Sequence, residues 1–177
     1  MSAPSRAKLL GMGSALAAFG SGLLGPFIVA AEAAQESDLA LLGAALSLER
    51  AGIMAYKGAA ATGLLAAPIL AVAKGFMQDH TAHRDALIGA IKAAGATPTE
   101  ETAHLDYPSL KSQEDILMFA ETVERGAATA YLTSIPKFKD RMLAKVAGSI
   151  LGVETTHVAI LAYTLKKGTE PYKDFVS

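Results

Sequence analysis

Hydrophobic positions along the chain follow two regimes. From Leu9 to Ala31 there are 23 residues without a charge, preceded by Arg6 and Lys8 and followed by Glu32. A helix of that length spans roughly 34 Å, enough to cross the core of a bilayer. A basic start before an apolar run also describes an export signal, and two small-residue cleavage patterns follow, Val29-Ala30-Ala31 and Ala31-Glu32-Ala33. Beyond Gln35 the apolar residues recur every three to four positions, the period of an amphipathic helix. Alternation of period two and hairpin dipeptides such as Asn-Gly are missing. The pattern predicts residues 1–35 as an export signal or membrane anchor and residues 36–177 as an all-α domain.

Punctuation divides that domain into four helices. Ser37 caps a first helix running to about Thr62, which Gly63 breaks. Pro68 opens a second that ends near Ala94, with Gly95 and Pro98 beyond it. Residues 96–111 are a polar, proline-containing crossover. Ser112 caps a third helix stopping before Pro136, and a fourth runs from about there to Lys167, closed by Gly168 and Pro171. Short links within each pair and a longer one between the pairs predict a four-helix bundle of two helical hairpins.

Ionisable residues interrupt every apolar stripe. The first helix reads Leu42, Leu46, Glu49, Ile53, Tyr56, and the second Ala73, Phe76, His80, His83, Leu87. The third reads Leu117, Ala120, Glu124, Ala127, Tyr131, and the fourth Ile150, Glu154, His157, Leu161. A lone buried carboxylate is expensive unless paired or bound to metal. Six such groups on four helices point to one shared site. Met54, Met77, Met118 and Met142 read as core filling. Arg50 and Arg125 read as partners of surface carboxylates.

Composition narrows the chemistry. The chain holds 16 basic and 17 acidic residues, a net charge of −1, without the basic surplus that nucleic-acid binding needs. It has no cysteine, which excludes disulfides, thiolate catalysis and iron–sulfur clusters and leaves any metal to His, Asp and Glu. Tryptophan is absent too, which argues against a stacking platform for bases or sugars.

An internal repeat ties the interrupted stripes together. Leu48-Glu49-Arg50-Ala51-Gly52-Ile53-Met54-Ala55-Tyr56 aligns with Val123-Glu124-Arg125-Gly126-Ala127-Ala128-Thr129-Ala130-Tyr131. His80 and His83 lie 31 and 34 residues after Glu49, and Glu154 and His157 lie 30 and 33 after Glu124. Each half is a hairpin with one Glu on its first helix and an i, i+3 pair on its second. Such pairs share a helix face and can grip one centre. Di-metal carboxylate bundles place a single Glu on each of two helices and a Glu-x-x-His on each of the other two.

The sequence resembles the ferritin-like proteins, specifically an exported branch related to desiccation-associated proteins. The resemblance spans about residues 37–177 and rests mainly on Ala120-Glu121-Thr122-Val123-Glu124, Ala130-Tyr131-Leu132, Ile150-Leu151-Gly152-Val153-Glu154-Thr155-Thr156-His157, and a tail with Pro171 and Phe175. It implies a site of two transition-metal ions, iron first, with manganese or zinc as alternatives. By position, Glu49 and Glu124 are the single carboxylates, Glu154 a bridging one, and His83 and His157 terminal imidazoles. Tyr56 and Tyr131 match tyrosines found beside such sites, and Glu121 stands at the surface or behind the ligands. The pattern departs at His80, where the family carries a bridging Glu. That exchange implies a bias toward divalent metal, a single metal, or loss of ferroxidase chemistry.

Two functions follow. One is an exported, periplasmic di-metal oxidoreductase acting on dioxygen or peroxide. The other is a non-catalytic accessory or scaffold subunit of a membrane complex, with a degenerate site. Its Gly11, Gly13, Gly20 and Gly22 would then pack against other membrane helices. Expected partners are the inner membrane, through the N-terminal segment, and a membrane complex or further copies of the chain. Ser5-Arg6-Ala7-Lys8-Leu9-Leu10 resembles a twin-arginine export signal with Ala7 in place of the second arginine.

Overall fold

The computed structural model describes residues 38–166. The Leu9–Ala31 run, the Ser37 cap, Gly168, Pro171 and Phe175 lie outside the described residues. Within them the chain forms α1 (Asp38–Ala61), α2 (Ala67–Ala93), α3 (Gln113–Ser134), a 3-10 turn (Ile135–Lys137) and α4 (Arg141–Thr164). Among the described residues there is no strand. α1 packs chiefly on α2 and α3 on α4, so the bundle is two hairpins laid face to face.

Local chemistry sets the boundaries. Gly63 (φ +70°) turns the chain out of α1 in the left-handed conformation that glycine tolerates best. Gly95 (φ +77°) does the same after α2. The Ser112 side chain accepts the Asp115 N–H at 3.1 Å and caps α3. Residues 96–111 form an irregular crossover pinned by the Ala103 N–H donating to the Ser47 carbonyl and by buried Leu105. Leu105 packs with Ala51, Ala55, Phe119 and Val123.

α4 starts five residues later than the sequence pattern predicts. Pro136 is taken up in the 3-10 turn, and Asp140 caps the helix by accepting the Met142 N–H at 2.7 Å. The preceding backbone is held from across the molecule: the Asp38 carboxylate, at the start of α1, accepts the N–H groups of Lys139 and Asp140, both at 2.9 Å. Those two donors hold the Asp38 carboxyl below its ordinary range.

Every predicted stripe faces inward, with only Ile53 left half-buried. Apolar residues plug both ends of the interior. At one end Leu42, Leu46, Leu87, Ile91, Tyr131 and Ile150 meet, and at the other Tyr56, Ala73, Phe76, Leu117, Ala120 and Leu161. The ionisable groups occupy the stretch between. α1 and α4 are long and apolar enough to cross a membrane, but each buries a glutamate whose partners lie on other helices.

The methionines are a correction. Met54, Met118 and Met142 are exposed, at 55%, 49% and 64%, and only Met77 packs against the core. An unbranched apolar side chain is tolerated on a helix surface, and apolar character alone does not place it. Leu46, fully buried, should therefore behave differently from Met142. Leu46→Ala should cost about 2–5 kcal/mol, whereas Met142→Ala should stay within about 0.5 kcal/mol of the parent. Chemical denaturation of both variants checks this, and equal effects would contradict it.

Candidate metal centre

Six ionisable side chains converge midway along the bundle, all nine-tenths or more buried: Glu49 from α1, His80 and His83 from α2, Glu124 from α3, Glu154 and His157 from α4. They form two overlapping quartets in which the ligand-type atoms lie within 4.8 Å of one another. One is Glu49, His80, His83 and Glu154, the other His80, Glu124, Glu154 and His157. His80 and Glu154 belong to both.

The two quartets are built alike. In the first, His83 Nδ1 lies 3.1 Å from Glu154 Oε1 and 3.4 Å from Glu49 Oε2. In the second, His157 Nδ1 lies 3.4 Å from Glu124 Oε2 and 3.9 Å from Glu154 Oε2. Each Glu154 oxygen thus serves one quartet. The other side of His157 is held from outside, with Nε2 3.1 Å from the Asp79 carboxylate. A proton on Nε2 leaves the Nδ1 lone pair aimed inward, the usual way a ligating imidazole is oriented. Phe76 stacks on the same ring at 3.8 Å between centroids.

The two tyrosines cross between hairpins. Tyr131 of α3 donates its hydroxyl to Glu49 of α1 at 2.5 Å, and Tyr56 of α1 donates to Glu124 of α3. Burial and the adjacent carboxylates push both phenols well up, so they remain neutral donors. His80 supplies the remaining compensation. Its Nδ1 lies 2.8 Å from Glu49 Oε2 and its Nε2 3.3 Å from Glu124 Oε1. Burial alone would lower its pKa, but the attraction of Glu124, with hydrogen bonds to Glu124 and Glu49, lifts it well above 6.5. Both ring nitrogens then act as donors, as only an imidazolium allows.

The three carboxylates divide accordingly. Burial works against ionising Glu124 and Glu49, but the imidazoles facing them hold both below 4.5, Glu124 the more strongly. Glu154 is pushed well above 4.5 by burial and by the Glu124 charge beside it. Five buried atoms here carry no hydrogen bond: His83 Nδ1, Glu124 Oε2, both Glu154 oxygens and His157 Nδ1. Buried polar atoms are ordinarily satisfied, and a cluster of exceptions on converging ligand-type side chains fits a metal ion held among them.

The remaining sequence-derived residues fall outside the quartets. Glu121 is buried and not at the surface, but it joins neither quartet, and its Oε1 accepts from Arg125 at 3.1 and 3.0 Å. Arg50 reaches Glu100 in the crossover at 2.6 Å. His104, exposed, pairs with Asp106. Asp79 had no signal in the sequence beyond its place next to His80, because its partner lies on another helix. Gly52 carries no signal in the sequence either. A Cβ there would come within 2.9 Å of the His80 ring, so the imidazole lies against bare backbone.

Residues 37–167 match the ferritin-like domain. The chain belongs to the ferritin-like family. None of the curated proteins matches it. Among solved structures it is similar to a conserved hypothetical protein from Mycobacterium tuberculosis (TM-score 0.66, 23% identity, covering 73% of this chain and 90% of that one). It is also similar to a ferritin-like, diiron-carboxylate protein from Bacillus anthracis (0.62, 20%, 72% and 94%). A third is the dodecameric thioferritin, a bacterioferritin-related protein, from Bacteroides fragilis (0.65, 20%, 81% and 93%). At these identities the likeness establishes the fold.

Protonation makes the metal-free ferritin-like domain sensitive to pH. Glu49 and Glu124 contribute stability above about 4.5, lost as acid protonates them. Glu154 and His80 keep protons that the unfolded chain releases above 4.5 and 6.5 respectively, so their contribution is lost as pH rises toward their folded values. The chelated protein should melt highest in mild acid and progressively lower from about pH 6.5 to 8. Thermal melts across that range test this, and a melting temperature that is flat or rising there would contradict it.

Proposed function

We propose that this ferritin-like protein binds two transition-metal ions, iron first, between the two hairpins and acts as an oxidoreductase toward dioxygen or peroxide. The observation that carries the reading is the pair of quartets with five unsatisfied buried ligand atoms pointing into them. The donors are imidazole nitrogen and carboxylate oxygen, a set suited to iron, manganese or zinc. The diiron-carboxylate description of the Bacillus anthracis structure supports the same reading.

The residues fit such a pair. Glu49, His83 and one Glu154 oxygen would hold one ion, and Glu124, His157 and the other Glu154 oxygen the second, with His80 between them. Redox metals bound there supply electrons for reducing dioxygen or peroxide. The chain's own part is placement and exclusion. Asp79 keeps the His157 proton on Nε2, and Tyr56 and Tyr131 fix the carboxylate oxygens of the opposite hairpin. The two apolar plugs keep bulk water out. Beside Tyr56 and Phe76 lies a mostly apolar pocket of about 30 Å³, also lined by Ala73, Leu117, Leu161 and Thr164, of a size for a diatomic gas.

Elemental analysis of protein from its native host should find about two transition-metal ions per chain. Glu154→Ala and His157→Ala should each reduce that number. Metal-free protein whose melting temperature ignores added Fe²⁺, Mn²⁺ and Zn²⁺ would sink the proposal and favour the non-catalytic scaffold.

Export to the periplasm is part of the same reading, supported by Arg6, Lys8 and the uncharged Leu9–Ala31 run. So is self-association, for which the dodecameric relative is the precedent. The N-terminal sequence of the mature protein separates the two fates of the segment. A start near Glu32 or Ala34 means a removed signal, and an intact segment in the membrane fraction means an inner-membrane anchor. Full-length protein in the cytosolic fraction would rule out both.

A further inference from the structure

The geometry points to His80 as a bridging ligand that joins the two ions through its ring, Nδ1 binding one and Nε2 the other. This rests on the metal-binding reading above and goes beyond it, because it assigns a bridge of a different kind from the carboxylate the family pattern places there.

Three observations carry it. First, the two ring nitrogens face different halves of the site. Nδ1 looks toward Glu49 Oε2 at 2.8 Å and Glu154 Oε1 at 3.7 Å, the side on which His83 Nδ1 also converges. Nε2 looks toward Glu124 Oε1 at 3.3 Å, the half completed by His157. A ligand serving one ion would turn only one nitrogen inward and give the other to a carbonyl, a carboxylate outside the site or water, as His157 does with Asp79.

Second, the ring is held in that orientation. Its face lies against the Gly52 backbone, where a Cβ would stand only 2.9 Å from both Nδ1 and Cε1. The Tyr56, His83 and His157 rings surround it with centroids at 5.6, 6.1 and 5.7 Å. Turning it to present one nitrogen would break one of its two carboxylate contacts inside a closed interior.

Third, the donor count and the charge close. Each ion receives one single Glu, one terminal imidazole Nδ1, one Glu154 oxygen and one His80 nitrogen, four donors apiece. Three carboxylates and a doubly deprotonated imidazole carry four negative charges, which two divalent cations neutralise. The ring protons of His80 and the carboxyl proton of Glu154 leave to solvent, as metal binding ordinarily requires of its ligands. The charge count therefore matches loading with a pair of divalent ions.

Spacing tests the bridge. A carboxylate-bridged pair sits about 3.5–4 Å apart. Across an imidazole, two metal–nitrogen bonds of about 2.0–2.1 Å account for as much before the width of the ring is added. The full chain is loaded anaerobically with Co²⁺, the stoichiometry is counted, and X-ray absorption fine structure is recorded for wild type and His80→Glu. The expected result is two Co²⁺ per chain with no metal–metal distance near 3.5–4 Å in wild type, and such a distance appearing in His80→Glu. Two Co²⁺ at the short distance in wild type would overturn the bridge and leave the metal-binding reading standing. One Co²⁺ per chain would overturn the bridge and the two-ion reading together, leaving a single-metal site. No Co²⁺ bound by either protein would overturn both.

Discussion

The interior of this bundle has to accommodate three glutamates, and that requirement organises everything around them. Each is essentially sealed from solvent. An uncompensated buried charge costs several kcal/mol, a large share of a domain's whole stability. The chain compensates with neutral phenol donors, with imidazoles and with protonation of the most crowded carboxylate, Glu154. Four Ala-rich helices permit this. Small residues at Ala51, Ala120, Ala127 and Ala128 let the backbones close around the polar layer, while larger side chains fill the two ends.

Compensation also joins the hairpins. The glutamate of each is held by the tyrosine of the other, so neither half satisfies its own buried charge. The repeat visible in the sequence thus reappears as an approximate two-fold exchange: Glu49 with Glu124, Tyr56 with Tyr131, His83 with His157. The exchange fails at one place, where His80 faces Glu154. That mismatch lets the interior approach neutrality without an ion, since His80 is the cation that two of the carboxylates share.

Much of this was legible in the sequence because helix periodicity reports which face is buried. The stripes containing Glu49, His80, His83, Glu124, Glu154 and His157 all turned inward. Ser112 and Gly95 marked boundaries through local chemistry that needs no tertiary information. What escaped depends on contacts between elements. The true start of α4 is fixed by Asp38, about a hundred residues earlier in the chain. Asp79 acquires its role from a histidine on α4, and Glu121 is buried despite a sequence context that suits the surface. Met54, Met118 and Met142 misled because apolar character without a stripe says little about burial. The division of six residues into two quartets sharing two members is a property of packing that spacing alone cannot express.

The contact between Gly52 and His80 has a historical implication. The two positions are not independent characters. While an imidazole lies on the backbone at 52, no other residue fits there without displacing the ring. A glycine within a helix carries a penalty of about 0.5–1 kcal/mol relative to alanine. A lineage that exchanged the ring for a side chain not resting on residue 52 would be free to recover that stability, but only in that order. Gly52 is thus a marker of the histidine. In relatives that keep an imidazole at the position equivalent to 80, a glycine should accompany it, and where the glycine has been replaced the ring should already be gone.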